Sequence, residues 1–124
     1  MRRLLFSLIL FAVIATSFSI RAQQAAQFLS VMEEMPLMPE LKEVPDAGLI
    51  FDGPSGRIIE AFAGGSVKVH AVLAFYAATL PQLGWARQTN GEYRRDAEIL
   101  RLEVRSASAG ATSAHFMLRP AKDK

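Results

Sequence analysis

Side chains that commonly bind metals are scarce in this 124-residue sequence, which has two histidines and no cysteine. His70 falls in a segment with helical periodicity, and His115 falls on the polar side of the last predicted strand. A zinc site needs three or four converging ligands, and no acidic or histidine cluster accompanies either histidine. We therefore predict no metal site and no cofactor.

Three other residues are of types that enzymes use. Ser55 lies in the run Gly53-Pro54-Ser55-Gly56, where glycine and proline already explain a turn and the sequence places no histidine beside it as a base. Asp52 and Glu60 flank a predicted hairpin and could face each other, as acid–base catalysis requires. An aspartate at the start of a turn, however, usually bonds to nearby backbone. We predict that the chain is not an enzyme.

An aromatic cluster of Phe75, Tyr76 and Trp85 is the best candidate for a small-ligand pocket. Trp85 directly follows the predicted helix and can fold back over it. Core packing is the ordinary explanation, and ligand stacking is the alternative, because tyrosine and tryptophan also carry polar groups. Tyr76 and Trp85 are therefore candidates for a pocket between helix and sheet.

Arginines are concentrated in the predicted sheet region. Arg101 and Arg105 share a face with Glu103 between them, so ion pairing on a solvated face is the default interpretation. Recognition of an anionic lipid headgroup or of an acidic partner is the alternative. Six arginines follow the predicted helix: Arg87, Arg94, Arg95, Arg101, Arg105 and Arg119.

The segment 35–41, which we call the arm, is apolar and contains two prolines. Proline removes a backbone donor and favours an extended residue before it, so we predict neither a helix nor a central strand. Either the arm packs along its own domain, or Met35, Leu37 and Met38 dock on a partner, since methionine suits adaptable contacts.

The N-terminus predicts export. A basic start, an apolar run over residues 4–20 and the small residue Ala22 match a secretory signal peptide. We predict cleavage after Ala22 and a periplasmic location. An uncleaved signal that anchors the chain in the inner membrane is the alternative.

Removing the signal changes the charge balance. The chain has 14 basic and 12 acidic residues, and three arginines lie in the signal, which leaves 11 basic against 12 acidic residues. Residues 23–60 carry 2 basic and 7 acidic groups, whereas residues 61–124 carry 9 and 5. The basic excess of the full chain is thus no evidence for nucleic-acid binding, which we do not predict.

The remaining pattern predicts an α+β fold with one helix on an antiparallel sheet, in the order β-β-α-β-β-β-β. Ser66 is a plausible N-cap, and apolar residues recur at helical spacing up to Pro81 and Gly84, which suit the end of the helix. Residues 28–34 suggest a short helical turn. The predicted strands cover residues 49–52, 57–63, 85–89, 92–95, 98–106 and 114–119, with an Asn90-Gly91 hairpin turn. The predicted core is Leu73, Tyr76, Leu80, Leu100, Leu102, Val104, Phe116 and Leu118.

Taken together, these predictions divide the chain into four parts. They are a signal peptide (1–22), a mobile N-terminus with the arm (23–45), the α+β domain (46–120) and a charged tail (121–124).

Several short motifs resemble those of a family of small exported alphaproteobacterial proteins of unknown function. They are Pro-Leu-Met-Pro at 36–39, Pro-Asp-Ala-Gly at 45–48, Phe-Asp-Gly-Pro-Ser-Gly-Arg-Ile at 51–58, and Phe75-Tyr76 followed by Leu-Pro-Gln-Leu-Gly-Trp at 80–85. This resemblance implies a periplasmic setting and supplies no activity. The helix that ends in Leu-Gly-Trp before a hairpin is also similar to repeats of the outer-membrane assembly lipoprotein BamC, but this chain lacks a lipid-anchor cysteine.

Two functional hypotheses follow from the sequence. The first is a non-enzymatic envelope protein that acts as a small interaction or accessory module, with a protein partner or anionic lipid as its target. The second is a periplasmic carrier of a lipid or small ligand, with a pocket near Tyr76 and Trp85.

Overall fold

A computed structural model of the chain describes residues 26–122. The predicted signal peptide and its cleavage site lie outside these residues, so export remains a prediction. No helix in the described part has the length and apolar character to cross a membrane.

The described residues form one helix packed on an antiparallel sheet, which confirms the predicted α+β class. The main sheet has seven strands in the order β3-β5-β9-β8-β7-β6, and β4 pairs with the same edge of β5 as β3 does. A separate hairpin, β1-β2, precedes it. The strands are β1 (Gln27–Leu29), β2 (Met32–Leu37), β3 (Lys42–Glu43), β4 (Leu49–Gly53), β5 (Gly56–Gly65), β6 (Ala86–Arg87), β7 (Glu92–Arg95), β8 (Glu98–Ser106) and β9 (Thr112–Pro120). The helices are α1 (Val69–Thr79) and two short 3-10 helices, Leu80–Leu83 and Ser108–Gly110.

The predicted strand pairs are largely correct. The 49–52 and 57–63 segments become β4 and β5, which pair from Leu49↔Glu60 to Gly53↔Gly56. The Asn90-Gly91 turn joins β6 to β7, with φ values of 56° and 74°, which asparagine and glycine adopt more readily than other residues.

The helix begins later than the sequence suggested. Lys68 is its N-cap and no side chain caps it, so the prediction of Ser66 as N-cap is wrong. Its end follows the prediction, because Pro81 lies in the 3-10 helix that continues α1 and Gly84 adopts a left-handed conformation with φ 87°.

One predicted core residue is on the surface. Leu73 is 45% exposed, because Val72 and Tyr76 face the sheet and the next residue along a helix is rotated by about 100°. The other predicted core residues are buried or pack against the buried cluster.

The N-terminal segment differs most from prediction. Residues 28–34 contain strand rather than a helical turn, since the chain reverses between β1 and β2 and the two strands pair with each other. The arm packs along its own domain, which is one of the two predicted alternatives. Its buried side chains join the core around Tyr76 and Phe116, across the predicted domain boundary at residue 46. They are Met35, Leu37, Met38 and Leu41.

Candidate partner-binding face

The main sheet has one face covered by α1 and one that α1 does not cover, which we call the helix-free face. Tyr76 of α1 contacts Phe116 of β9, with ring centroids 5.3 Å apart. Because side chains alternate along a strand, the neighbours of Phe116 in β9, His115 and Met117, point to the opposite face. The sheet register places further apolar side chains beside them on that face: Leu49, Phe51, Ile58 and Phe62.

The exposed apolar surface of this face is concentrated on β4. Leu49 and Phe51 are 54% and 55% exposed, and Ile50, which points to the helix side, is 50% exposed. Three consecutive large apolar residues that are half-exposed to water are unusual, because a strand normally buries at least the apolar side chains on one of its two faces. The sequence predicted this strand but not its position at the sheet edge, because alternation does not reveal which strands are neighbours.

Arg101 and Arg105 lie on the helix-free face, as predicted, and both make ion pairs. The Arg101 Nε lies 3.0 Å from a Glu103 carboxylate oxygen, and Arg105 reaches the other oxygen at 3.3 Å. Arg101 is also 3.9 Å from Glu92, which accepts a hydrogen bond from Arg119 at 3.1 Å. Both arginines therefore make the ion pairs that the default interpretation predicts. An anionic ligand would have to displace their carboxylate partners in order to bind them.

A histidine completes the middle of the face. The His115 ring stacks on Phe62 with centroids 4.3 Å apart and an angle of 9° between the planes. Its Nε2 lies 3.1 Å from a Glu60 carboxylate oxygen. Both groups are partly buried, so a hydrogen-bonded polar pair lies between the apolar strip of β4 and the arginines of β8.

The predicted partner-binding residues of the arm are not on the surface. Met35, Leu37 and Met38 are each less than 10% exposed, and the Tyr76 hydroxyl ties the arm to α1. That hydroxyl donates a hydrogen bond to the carbonyl of Pro36 at 2.9 Å and accepts one from the Met38 N–H at 3.2 Å. Docking of these side chains on a partner would require the arm to leave the core.

Tyr76 and Trp85, the predicted pocket residues, both belong to the buried cluster. Burial raises the pKa of Tyr76 to about 12, against the opposing effect of its bond to Met38. Trp85 is covered by the Arg95 guanidinium at 4.5 Å from its ring centroid, and Arg95 pairs with Glu34 at 2.8 Å. A shallow cleft between the β1-β2 hairpin and the sheet reaches Trp85, but the space between Tyr76 and Phe116 is filled.

The residues considered for catalysis do not come together. Asp52 pairs with Arg57 at 2.8 Å, and Glu60 lies opposite Leu49 rather than near Asp52. The hydrogen bond that Arg57 donates to Asp52, together with the negative charge of the Asp52 carboxylate, raises the pKa of the Arg57 guanidinium. Ser55 occupies the exposed turn after Gly53. Within residues 26–122, no three histidine or acidic side chains are grouped so as to hold a metal ion.

Comparison of the chain with protein-family models, curated proteins and solved structures found no match.

Proposed function

We propose that this protein is an exported, non-enzymatic accessory module of the bacterial cell envelope that binds a protein partner through its helix-free face. The observation that carries the proposal is the half-exposed apolar strip of β4, where Leu49 and Phe51 extend the face to the edge of the sheet. Burial of such side chains on a partner removes apolar surface from water and drives association.

The charged part of the face suits a role in specificity. Arg101, Arg105 and Glu103 form a network beside the apolar strip, and paired surface charges add little affinity by themselves. They do penalise partners of the wrong charge pattern. The apolar strip lies at one edge of this face with the charged network beyond the His115–Glu60 pair, so the two parts would contact different regions of a partner.

The carrier hypothesis has less support. A pocket between helix and sheet would need space next to Tyr76, but Tyr76 and Phe116 are fully buried in edge-to-face contact. Their packing leaves the exposed strip of β4 as the stronger indication of function.

In-cell crosslinking of a C-terminally tagged chain tests the proposal. The wild type is compared with the double variant Leu49→Ser/Phe51→Ser and with the control Leu73→Ser, which removes a similarly exposed leucine from α1. We expect the double variant to lose at least about ten-fold in the yield of a partner adduct, consistent with about 1.4 kcal/mol or more of lost binding, while the control keeps it.

The same preparation tests export and integrity. The intact mass of the tagged chain shows whether cleavage follows Ala22, and circular dichroism shows whether each variant is folded. An adduct yield that is equal in all three chains would contradict the proposed face, and recovery of the bait only from the cytoplasm would contradict the envelope assignment.

A further inference from the structure

Strand β4 has a free backbone edge within residues 26–122. It pairs only with β5, so alternate N–H and C=O groups on its other side have no strand partner. Sheet edges of this kind are usually protected by lysine, proline, a bulge or an inward-pointing charge. Leu49, Ile50 and Phe51 provide none of these, and the nearest charge, Asp52, is held by Arg57 across its own hairpin.

We propose that β4 pairs in antiparallel fashion with β4 of a second copy of this chain, about a two-fold axis at Ile50. The sequence is complementary to itself in this register. Ile50 faces Ile50 of the second copy, Leu49 faces Phe51, and Asp52 faces Gly48. All apolar side chains are thus opposite apolar side chains, and no like charges are opposed.

The two neighbouring symmetric registers are less favourable. If the axis passed through Leu49, Ile50 would lie opposite Gly48 of the second copy, and Asp52 would lie opposite the like charge of Asp46. If the axis passed through Phe51, Asp52 would lie opposite Ile50 of the second copy, and Leu49 would lie opposite Gly53. A shift of one residue from any of these arrangements would bring side chains of opposite faces together. The register centred on Ile50 is therefore the one that the residue types select.

This pairing deepens the proposed function, on which it partly rests, by naming the second copy as one partner of the same strand. Directly opposite residues in an antiparallel pair share a face. Leu49 and Phe51 of both copies would consequently form one apolar strip across the two-fold axis on the helix-free face. The dimer doubles that face and leaves it open to another protein.

The expected dimer is weak. Aromatic side chains bury roughly 150–250 Å² each when covered completely and aliphatic ones less, and the three apolar side chains of β4 are half-exposed, so they contribute at most roughly 300 Å² per copy. Twice that area is below the roughly 1,200 Å² of standard stable interfaces. The dimer should therefore depend on concentration, and a method that traps it is needed.

Engineered cysteines provide that method, because the chain has no cysteine of its own. Directly opposite Cα atoms in an antiparallel pair are about 4.5–5.5 Å apart, within the range that a disulfide bridges. Ile50→Cys in the full-length chain, oxidised after purification so that the result does not depend on export, should thus form a disulfide-linked dimer. Leu73→Cys, similarly exposed on α1, measures chance collision.

A second pair of variants tests the register. In this register, the two cysteines of a Leu49→Cys dimer would not be opposite each other but displaced by two residues along the strands, which is too far for a disulfide. A cysteine in place of Leu49 would instead lie opposite one in place of Phe51 in the second copy. Co-expression of these two variants with different tags should give the mixed dimer, at a yield at least about five-fold above either variant alone. We expect the same five-fold excess for Ile50→Cys over Leu73→Cys.

The proposal is overturned if Ile50→Cys crosslinks no more than Leu73→Cys, or if Leu49→Cys alone crosslinks as well as the mixture. This outcome is distinguishable from failure of the proposed function. If the partner adduct forms but the disulfide-linked dimer does not, the accessory module binds its partner without pairing with itself. If the dimer forms but the partner adduct does not, the protein pairs with itself and lacks the predicted partner.

Discussion

At the scale of single residues, the Tyr76 hydroxyl is the polar group on which the attachment of the arm depends. It lies in a buried environment and bonds to the backbone of both Pro36 and Met38. A buried donor or acceptor that loses its partner costs more free energy than an exposed one. One side chain of α1 therefore fixes the position of a segment about 40 residues earlier in the chain.

The pKa of Tyr76 makes this attachment sensitive to alkaline pH. The folded-state pKa is raised to about 12 from 10.0, so its contribution to stability is complete below pH 10 and is lost as the pH rises from 10 towards 12. Between pH 9 and pH 11 we expect wild type to lose about 1 kcal/mol more free energy of unfolding than Tyr76→Phe. Urea unfolding of both chains at each pH measures the difference.

The comparison with Tyr76→Phe removes the contributions of other titrating groups, which both chains share. Parallel pH profiles for the two chains would show that Tyr76 ionises equally easily in the folded and unfolded states, and would contradict its burial.

At the scale of elements, the contact between the end of β5 and the arm depends on Gly65. A Cβ at this position would collide with the backbone carbonyl of Glu40, whereas one at Gly64 would meet only the carbonyl oxygen of Thr112, at 3.4 Å. We expect Gly65→Ala to lower the free energy of unfolding by about 1–3 kcal/mol, and Gly64→Ala to change it by less than about 0.5 kcal/mol. Thermal unfolding of the two neighbouring variants checks this; equal stabilities would mean that the arm yields easily at Glu40.

Much of the element structure could be predicted because it rests on local signals. The Asn90-Gly91 turn, the alternation along β8 and the Pro81–Gly84 helix end each have a short-range cause. The β1-β2 hairpin has no such signal, since its burial depends on contacts with residues far along the chain. The prediction that Leu73 belongs to the core was wrong for a related reason, because helical spacing defines an apolar stripe but does not show which part of that stripe contacts the sheet.

The candidate site shows the same division. The placement of Arg101 and Arg105 on a common face follows from the period of a strand, and the structure retains it. The exposure of Leu49, Ile50 and Phe51 could not be predicted, because it depends on β4 joining the outside of β5. The burial of Met35 was one of two open alternatives, and the sequence does not reveal the contacts of the arm with Tyr76 and the rest of the core.

At the scale of the whole molecule, the uneven charge of the sequence has a modest structural counterpart. Glu34, from the acidic N-terminal part, pairs with Arg95 of the basic sheet at 2.8 Å, and Arg95 also covers Trp85. This pair is exposed on the glutamate side, so it orients the β1-β2 hairpin more than it stabilises it.

Burial is what unites the molecule, and it predicts that the arm and the sheet unfold together. Leu41 of the arm and Leu100 of β8 are almost completely buried in one cluster, so Leu41→Ala and Leu100→Ala should each cost about 2–5 kcal/mol. Leu83→Ala, at an exposed position, should cost less than about 0.5 kcal/mol.

Trp85 is the only tryptophan and reports the sheet side of the core, while far-ultraviolet circular dichroism reports the whole chain. If the two signals of Leu41→Ala separate, with Trp85 keeping its wild-type midpoint, the arm is an independent unit; if they shift together, the core extends across residue 46 and the domain requires its N-terminal segment to fold.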